Sequence, residues 1–101
     1  MRIMVFFDLP TVSSEDLREY RIFRKELIKL GFMMLQESVY VRLALNATVE
    51  KAMIDKLRKI KPEKGLVQVL SITEKQYNNM ETLVGEVKSE TLDTDDRMVI
   101  L

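Results

Sequence analysis

An apolar run, Ile3 to Phe7, ends in a carboxylate, Asp8, and is followed by a turn opened by Leu9-Pro10. Short apolar runs closed by a breaker form buried strands. Asp is a poor strand former and is costly to bury unpaired. At the C-terminal lip of a buried strand it is therefore held on a rigid element and faces an opening. That is how a fold presents a carboxylate to a metal or for acid–base work, although a plain turn cap uses the same position. The chain has no His and no Cys, which excludes an imidazole general base, a Ser–His relay and a zinc–thiolate centre. Its 3 glycines are not clustered, so there is no phosphate-cradling loop. Carboxylate–metal chemistry remains. Mg²⁺ is held by one or two carboxylates together with waters and substrate phosphates. One Asp per chain is thin, but a two-fold axis near the strand end would bring two copies of Asp8 into one shared site.

A second group of interest is cationic. Arg18, Arg21, Lys25 and Lys29 recur at helical spacing, with Arg24 beside them. The planar fork of Arg bonds two phosphate oxygens at once, so such a stripe suits a nucleic-acid backbone. Glu19 and Glu26 intersperse it, and pairing along the helix would equally make it an ordinary solvated face. A further basic run, Lys56, Arg58, Lys59, Lys61 and Lys64, falls at a helix C-terminus, where it complements the helix dipole.

The elements that must position these groups follow from periodicity and breakers. The first strand covers about residues 2–7. Ser13 and Asp16 form a capping box, and Leu17, Tyr20, Phe23, Leu27 and Leu30 mark the inner face of a helix that Gly31 ends. Residues 32–36 and 38–44 form two short strands, or one strand with a bulge. Asn46-Ala47-Thr48 opens a second helix with Val49, Met53, Leu57 and Ile60 inward, stopped by Pro62. Leu66 to Ile72 is a strand, and Thr73 with Gln76 caps a short helix over about 74–80. Glu81 to Asp96 is polar and acidic, with Leu83 and Val84 as a candidate short strand. Arg97 to Leu101 turns apolar again, through Met98, Val99, Ile100 and Leu101.

The order strand, helix, strand, strand, helix, strand is the α+β, ferredoxin-like βαββαβ pattern, with an antiparallel sheet and both helices on one face. The other face, with Ile3, Val5, Val39 or Val67 expected on it, needs a cover, and a second copy of the chain supplies one. Residues 97–101 are expected to add a further strand to an exposed sheet edge, that of the partner subunit, the alternative being an edge of their own chain.

Composition sets the class. A chain of 101 residues, 47% hydrophobic and 32% charged, folds as a single domain spanning residues 1–101. No apolar stretch approaches membrane-spanning length, and the N-terminal run is too short for a signal peptide. A soluble cytoplasmic protein is expected. The net charge is zero, but residues 1–64 hold 13 Lys/Arg and 9 Asp/Glu, whereas residues 65–101 hold 3 and 7. A basic body can therefore present a positive face despite the neutral total.

The segments Phe7-Asp8-Leu9-Pro10-Thr11, Tyr20-Arg21-x-x-Arg24-x-x-Leu27, Gly31-Phe32 and Gln36-Glu37-Ser38-Val39-Tyr40-Val41-Arg42 fall in an order and spacing that resemble the CRISPR-associated adaptation endoribonuclease family. Its members are the smaller core subunit of the spacer-acquisition complex. The likeness covers nearly the whole chain, and the form is similar to the short variant found with type II systems. The resemblance implies a ferredoxin-like homodimer with an exchanged C-terminal strand. It implies a Mg²⁺-dependent phosphodiesterase site at the dimer axis, with Asp8 as metal ligand and catalytic residue. It also implies that the dimer bridges two dimers of the larger integrase subunit and holds the duplex DNA of a new spacer, with RNA as the other nucleic-acid substrate. Arg18, Arg21, Arg24 and Arg42 would hold backbone phosphates, and Met98 to Leu101 would form the dimer or partner interface. Two other readings are a stand-alone ribonuclease of toxin type on the same fold and a small-ligand regulatory module. The latter usually adjoins a catalytic or DNA-binding domain, which this chain lacks.

Overall fold

A computed structural model of the chain describes residues 1–86. Seven elements follow one another: β1 (Arg2–Asp8), α1 (Ser14–Lys29), β2 (Met33–Gln36), β3 (Val39–Leu43), α2 (Ala47–Ile60), β4 (Leu66–Ile72) and α3 (Glu74–Asn78). The strands form one antiparallel sheet in the order β2-β3-β1-β4. This is the ferredoxin-like arrangement, in which each βαβ crossover skips one strand position that the other half fills.

The boundaries have local causes. The Ser13 hydroxyl accepts from the Asp16 N–H at 3.0 Å, and the Asp16 carboxylate accepts from the Ser13 N–H at 3.1 Å, closing a capping box on α1. The Ser13 N–H holds the Asp16 carboxyl below its ordinary value, with a smaller contribution from Lys64. Past the other end of α1, Gly31 takes φ +91°, a conformation that side chains disfavour. Asn46 caps α2 by accepting from the Val49 N–H at 2.9 Å, and Thr73 and Gln76 form the box on α3. β1 runs one residue further than expected and includes Asp8, while α3 stops at Asn78 rather than residue 80.

Alternation along β1 points Ile3, Val5 and Phe7 at the helices, where they meet Phe23 and Leu27 of α1, Met53 and Leu57 of α2, and Tyr40 of β3. Phe7 lies edge-on to Phe23 at 5.2 Å and to Tyr20 at 6.0 Å. The sequence reading placed Ile3, Val5, Val39 and Val67 on the uncovered face, and the register corrects this for three of them. Val5 lies opposite Tyr40 and Phe7 opposite Val67, both on the helix side, whereas Val39 lies opposite Phe6 on the far side. Leu17 is also corrected: at 42% exposure it sits on the flank of α1, seven residues before Arg24, and not on its inner stripe.

The far face is only partly bare. Met4 and Val41 lie on it yet are 6% and 2% exposed. Arg2 fixes α3 beside them. Its Nε donates to the Glu74 carboxylate at 2.8 Å, and its guanidinium carbon sits 4.5 Å from the centre of the Tyr77 ring. The chain then passes β2, where Met80 to Glu86 and Leu35 and Gln36 line one cleft. Leu83 and Val84 do not form the expected short strand; they are 83% and 92% exposed in an irregular segment. What stays open is the β4 side. Leu66 and Leu70, 56% and 52% exposed, adjoin Asp8 and Met4 along a strand whose outer edge is unpaired among the described residues. The expected C-terminal strand over 97–101 lies outside the described residues.

Candidate metal and nucleic-acid site

Asp8 is exposed, between two buried neighbours, Phe7 and Leu9 at 5% and 8%. Those two anchor the backbone on the helix side. The Phe7 N–H donates to the Ser38 carbonyl at 3.0 Å, which ties the strand end to the β2–β3 turn. Opposite, Gly65 closes on the same point. A Cβ there would stand 2.6 Å from the Asp8 carbonyl oxygen and 2.8 Å from Leu9 Cδ2. The carboxylate is thus presented from a backbone fixed on three sides, on the far face, beside the open Leu66. Among the described residues no group of three or more potential metal ligands occurs around Asp8 or elsewhere.

Three of the four candidate arginines share α1 but differ in state. Arg18 is 61% exposed and lies 3.6 Å from both Glu15 and Glu19. Arg21 is exposed. Arg24 is half-buried, and its Nε donates to the Tyr40 hydroxyl at 2.9 Å. That hydrogen bond, with Glu37 as a lesser influence, raises the Arg24 pKa further above its ordinary value. Tyr40 is fully buried, so Arg24 satisfies a phenol that would otherwise lack a partner.

Arg42 stands apart. It lies opposite Ile3 on β3, five residues from Asp8 along β1, or roughly 17 Å at the rise of a strand. Its side chain packs over Gly31, whose added Cβ would meet Arg42 Nε at 2.8 Å, and its buried Nη1 has no hydrogen-bond partner among the described residues. The structure therefore gathers Arg18, Arg21 and Arg24 on one helix and leaves Arg42 at the opposite end of the sheet from Asp8. Met98, Val99, Ile100 and Leu101, expected at the dimer or partner interface, lie outside the described residues.

Three contributors escaped the sequence reading. Tyr40 as the anchor of Arg24 needed the β3 register. Gly65 as the residue that admits β4 against Asp8 looked like an ordinary turn glycine after Pro62. The Arg2–Glu74–Tyr77 clamp joins residues more than seventy positions apart, beyond any local signal.

A cleft of about 460 Å³ adjoins this end of the sheet, between α1 and the α2–β4 loop. Glu15 and Glu19 line one wall, Lys61 and Lys64 the other, and Leu9 and Pro10 the floor. Its charges are mixed, whereas the far face beside Asp8 is apolar. The two surfaces at the Asp8 end thus suit different partners.

Comparison with known proteins bears on this arrangement. Residues 1–80 match the family model described as CRISPR associated protein Cas2. The chain is 52% identical over 101 residues to the CRISPR-associated endoribonuclease Cas2 of Treponema denticola, covering 100% of both chains. It is 46% identical, again over the full length of both, to the protein of that name from Ligilactobacillus salivarius. The crystal structure of Streptococcus pyogenes Cas2 at pH 6.5 has the same fold, with a TM-score of 0.62 over 83% of this chain and 100% of that one, at 17% identity.

Proposed function

The chain belongs to the CRISPR-associated Cas2 family, and from that premise we propose that it works as a cytoplasmic homodimer in spacer acquisition. The dimer bridges dimers of the larger integrase subunit, holds the duplex DNA of the new spacer, and carries a Mg²⁺-dependent phosphodiesterase site for RNA or DNA. Full-length likeness to endoribonucleases of this family supports the reading most directly.

The open part of the far face gives it a physical basis. Leu66 and Leu70 lie beside the free edge of β4, and exposed apolar surface next to an unpaired edge invites a second copy. Residues 97–101 of the partner subunit would cover that edge. Asp8 lies opposite Leu66 on the same face, so a two-fold contact here sets the two Asp8 carboxylates near the axis. Mg²⁺ suits such a pair, because it takes one or two carboxylates and completes its shell with water and phosphate. Bound there, it supplies Lewis-acid polarisation of a phosphate and an activated water. The chain's own part is to hold the Asp8 backbone in place, through Phe7, Leu9 and Gly65. Arg18 and Arg21 meet backbone phosphates without reading bases.

The test is Asp8→Ala, assayed for cleavage of RNA and DNA across a Mg²⁺ titration, with the mass in solution measured by light scattering. Cleavage should be lost and the dimer retained. Full Mg²⁺-dependent cleavage by the rigorously purified variant would overturn the assignment of Asp8.

A further inference from the structure

The basic excess of this chain has an address. Residues 1–55 are balanced, with eight Lys/Arg and eight Asp/Glu. The next nine residues carry Lys56, Arg58, Lys59, Lys61 and Lys64 against Glu63 alone. The whole surplus of the first 64 residues therefore sits on the last turn of α2 and the loop after it.

These cations are only loosely engaged: Lys64 acts on Asp16 across the cleft without closing an ion pair. Lys56, Lys59, Lys61 and Lys64 are exposed, and none forms an ion pair among the described residues, whereas Arg58 is tied to Asp55 at 2.7 Å. The α1 stripe is more engaged: Arg18 with Glu15 and Glu19, Lys29 with Glu26, and Arg24 with Tyr40. Complementing the α2 dipole does not account for the run. A helix C-terminus carries about half a negative charge, felt within its last turn. Lys61 and Lys64 lie beyond Ile60, the last helical residue. So many like charges within about three helical turns' length repel one another, and a polyanion relieves that repulsion by displacing condensed counterions.

The position matters as well. Lys61 and Lys64 adjoin Leu9 and Pro10 in the cleft next to Asp8, and the loop they belong to ends at Gly65, against the Asp8 carbonyl. We infer that the C-terminal end of α2 and the α2–β4 loop, through Lys56, Lys59, Lys61 and Lys64, form the principal phosphate-backbone contact of this chain for duplex nucleic acid. The inference rests on the duplex-binding reading above and shifts its main electrostatic contact from α1 to α2. Lysine ammonium groups act there as point charges, so the contact is indifferent to sequence.

The experiment measures anisotropy of two labelled DNA duplexes of unrelated sequence over a salt series. It compares the wild-type chain, the fourfold variant Lys56→Gln, Lys59→Gln, Lys61→Gln, Lys64→Gln, and the pair Arg18→Gln, Arg21→Gln. Each phosphate contact contributes about 0.9 to the log–log salt slope. The fourfold variant should flatten the slope by about 2 to 4 and weaken both duplexes alike, about tenfold or more at moderate salt. The α1 pair should flatten it by less. Lys61→Gln with Lys64→Gln lies outside the helix, so it reads the slope change even if the fourfold variant fails to fold. An unchanged slope in both lysine variants, with a loss in the α1 pair, would overturn the inference and leave duplex binding standing. Competition by polyglutamate as strong as that of duplex at equal charge would also overturn it, in favour of an acidic protein. No duplex binding by the wild-type chain would instead overturn the reading beneath it.

Discussion

Gly65→Ala probes how the fold holds Asp8, and its cost can be worked from two separate features. First, Gly65 takes φ +89°, and holding a side-chain-bearing residue in such a region costs about 1–3 kcal/mol. Second, the new Cβ would stand 2.6 Å from the Asp8 carbonyl oxygen, 2.8 Å from Leu9 Cδ2 and 3.1 Å from Leu9 Cα. Comfortable separations are about 3.5–4.0 Å, and the nearest obstacle is backbone, which cannot rotate away. The start of β4 must move off the end of β1, at an overpacking cost of about 1–3 kcal/mol. Together these give about 2–6 kcal/mol, out of a total stability of about 5–15 kcal/mol for a domain of this kind. In a melting experiment that is a fall of about 10–30 °C. Gly85→Ala supplies the comparison. Gly85 has φ +101°, but its Cβ would meet nothing within 4 Å. It incurs backbone strain only, in an exposed segment that can relax. Urea unfolding at fixed protein concentration should show Gly65→Ala well below wild type with an unchanged m-value, and Gly85→Ala close to wild type. A Gly65→Ala loss under about 0.5 kcal/mol, or no larger than that of Gly85→Ala, would refute the argument that the β1–β4 approach fixes Asp8.

Tyr40→Phe keeps the ring beside Phe7, 5.6 Å between centres, but removes the acceptor of the Arg24 Nε–H; it should cost about 0.5–2 kcal/mol in chemical denaturation, and an unchanged midpoint would mean that the bond does not form in solution. Arg2 beside Glu74 holds that carboxyl below its ordinary value of 4.5. The unfolded chain therefore binds the proton more readily, so this contribution is complete above that value and is lost as pH falls through the lower folded-state pKa. Glu74→Gln should lower neutral-pH stability slightly and lessen the decline below about pH 4.5, and parallel wild-type and variant acid profiles would contradict the clamp.

Much of the fold is legible in the sequence because its signals are local. The Ser13–Asp16 and Thr73–Gln76 boxes, Gly31, Asn46 and Pro62 each act within a turn of where they stand, and the inner face Tyr20, Phe23, Leu27, Leu30 is set by helical period. Asp8 is legible because an apolar strand that ends in a carboxylate has few explanations. The misassigned strand residues fail for one reason. Which side of a strand faces the helices depends on register, and register is decided between strands. Ile3, Val5 and Val67 went to the wrong face because a one-residue shift inverts every side chain. Leu17 fits the helical spacing but lies on the edge of the stripe. The docking of α3 rests on Arg2 meeting Glu74 and Tyr77, residues more than seventy positions away in the chain. The arginines show the same limit: their spacing places them on one helix, but only the packed structure shows that Arg24 is bound to Tyr40 and that Arg42 lies over Gly31, far from Asp8.

The most direct test of the central claim is reconstitution. The chain, mixed with the proposed partner, a larger integrase subunit of CRISPR adaptation, and with a spacer-like DNA duplex, would be sized by light scattering coupled to chromatography. One particle is expected, in which a dimer of this chain joins two integrase dimers, more stable with the duplex than without it. Separate elution of the chain and the integrase, with and without DNA, would contradict the bridging role outright.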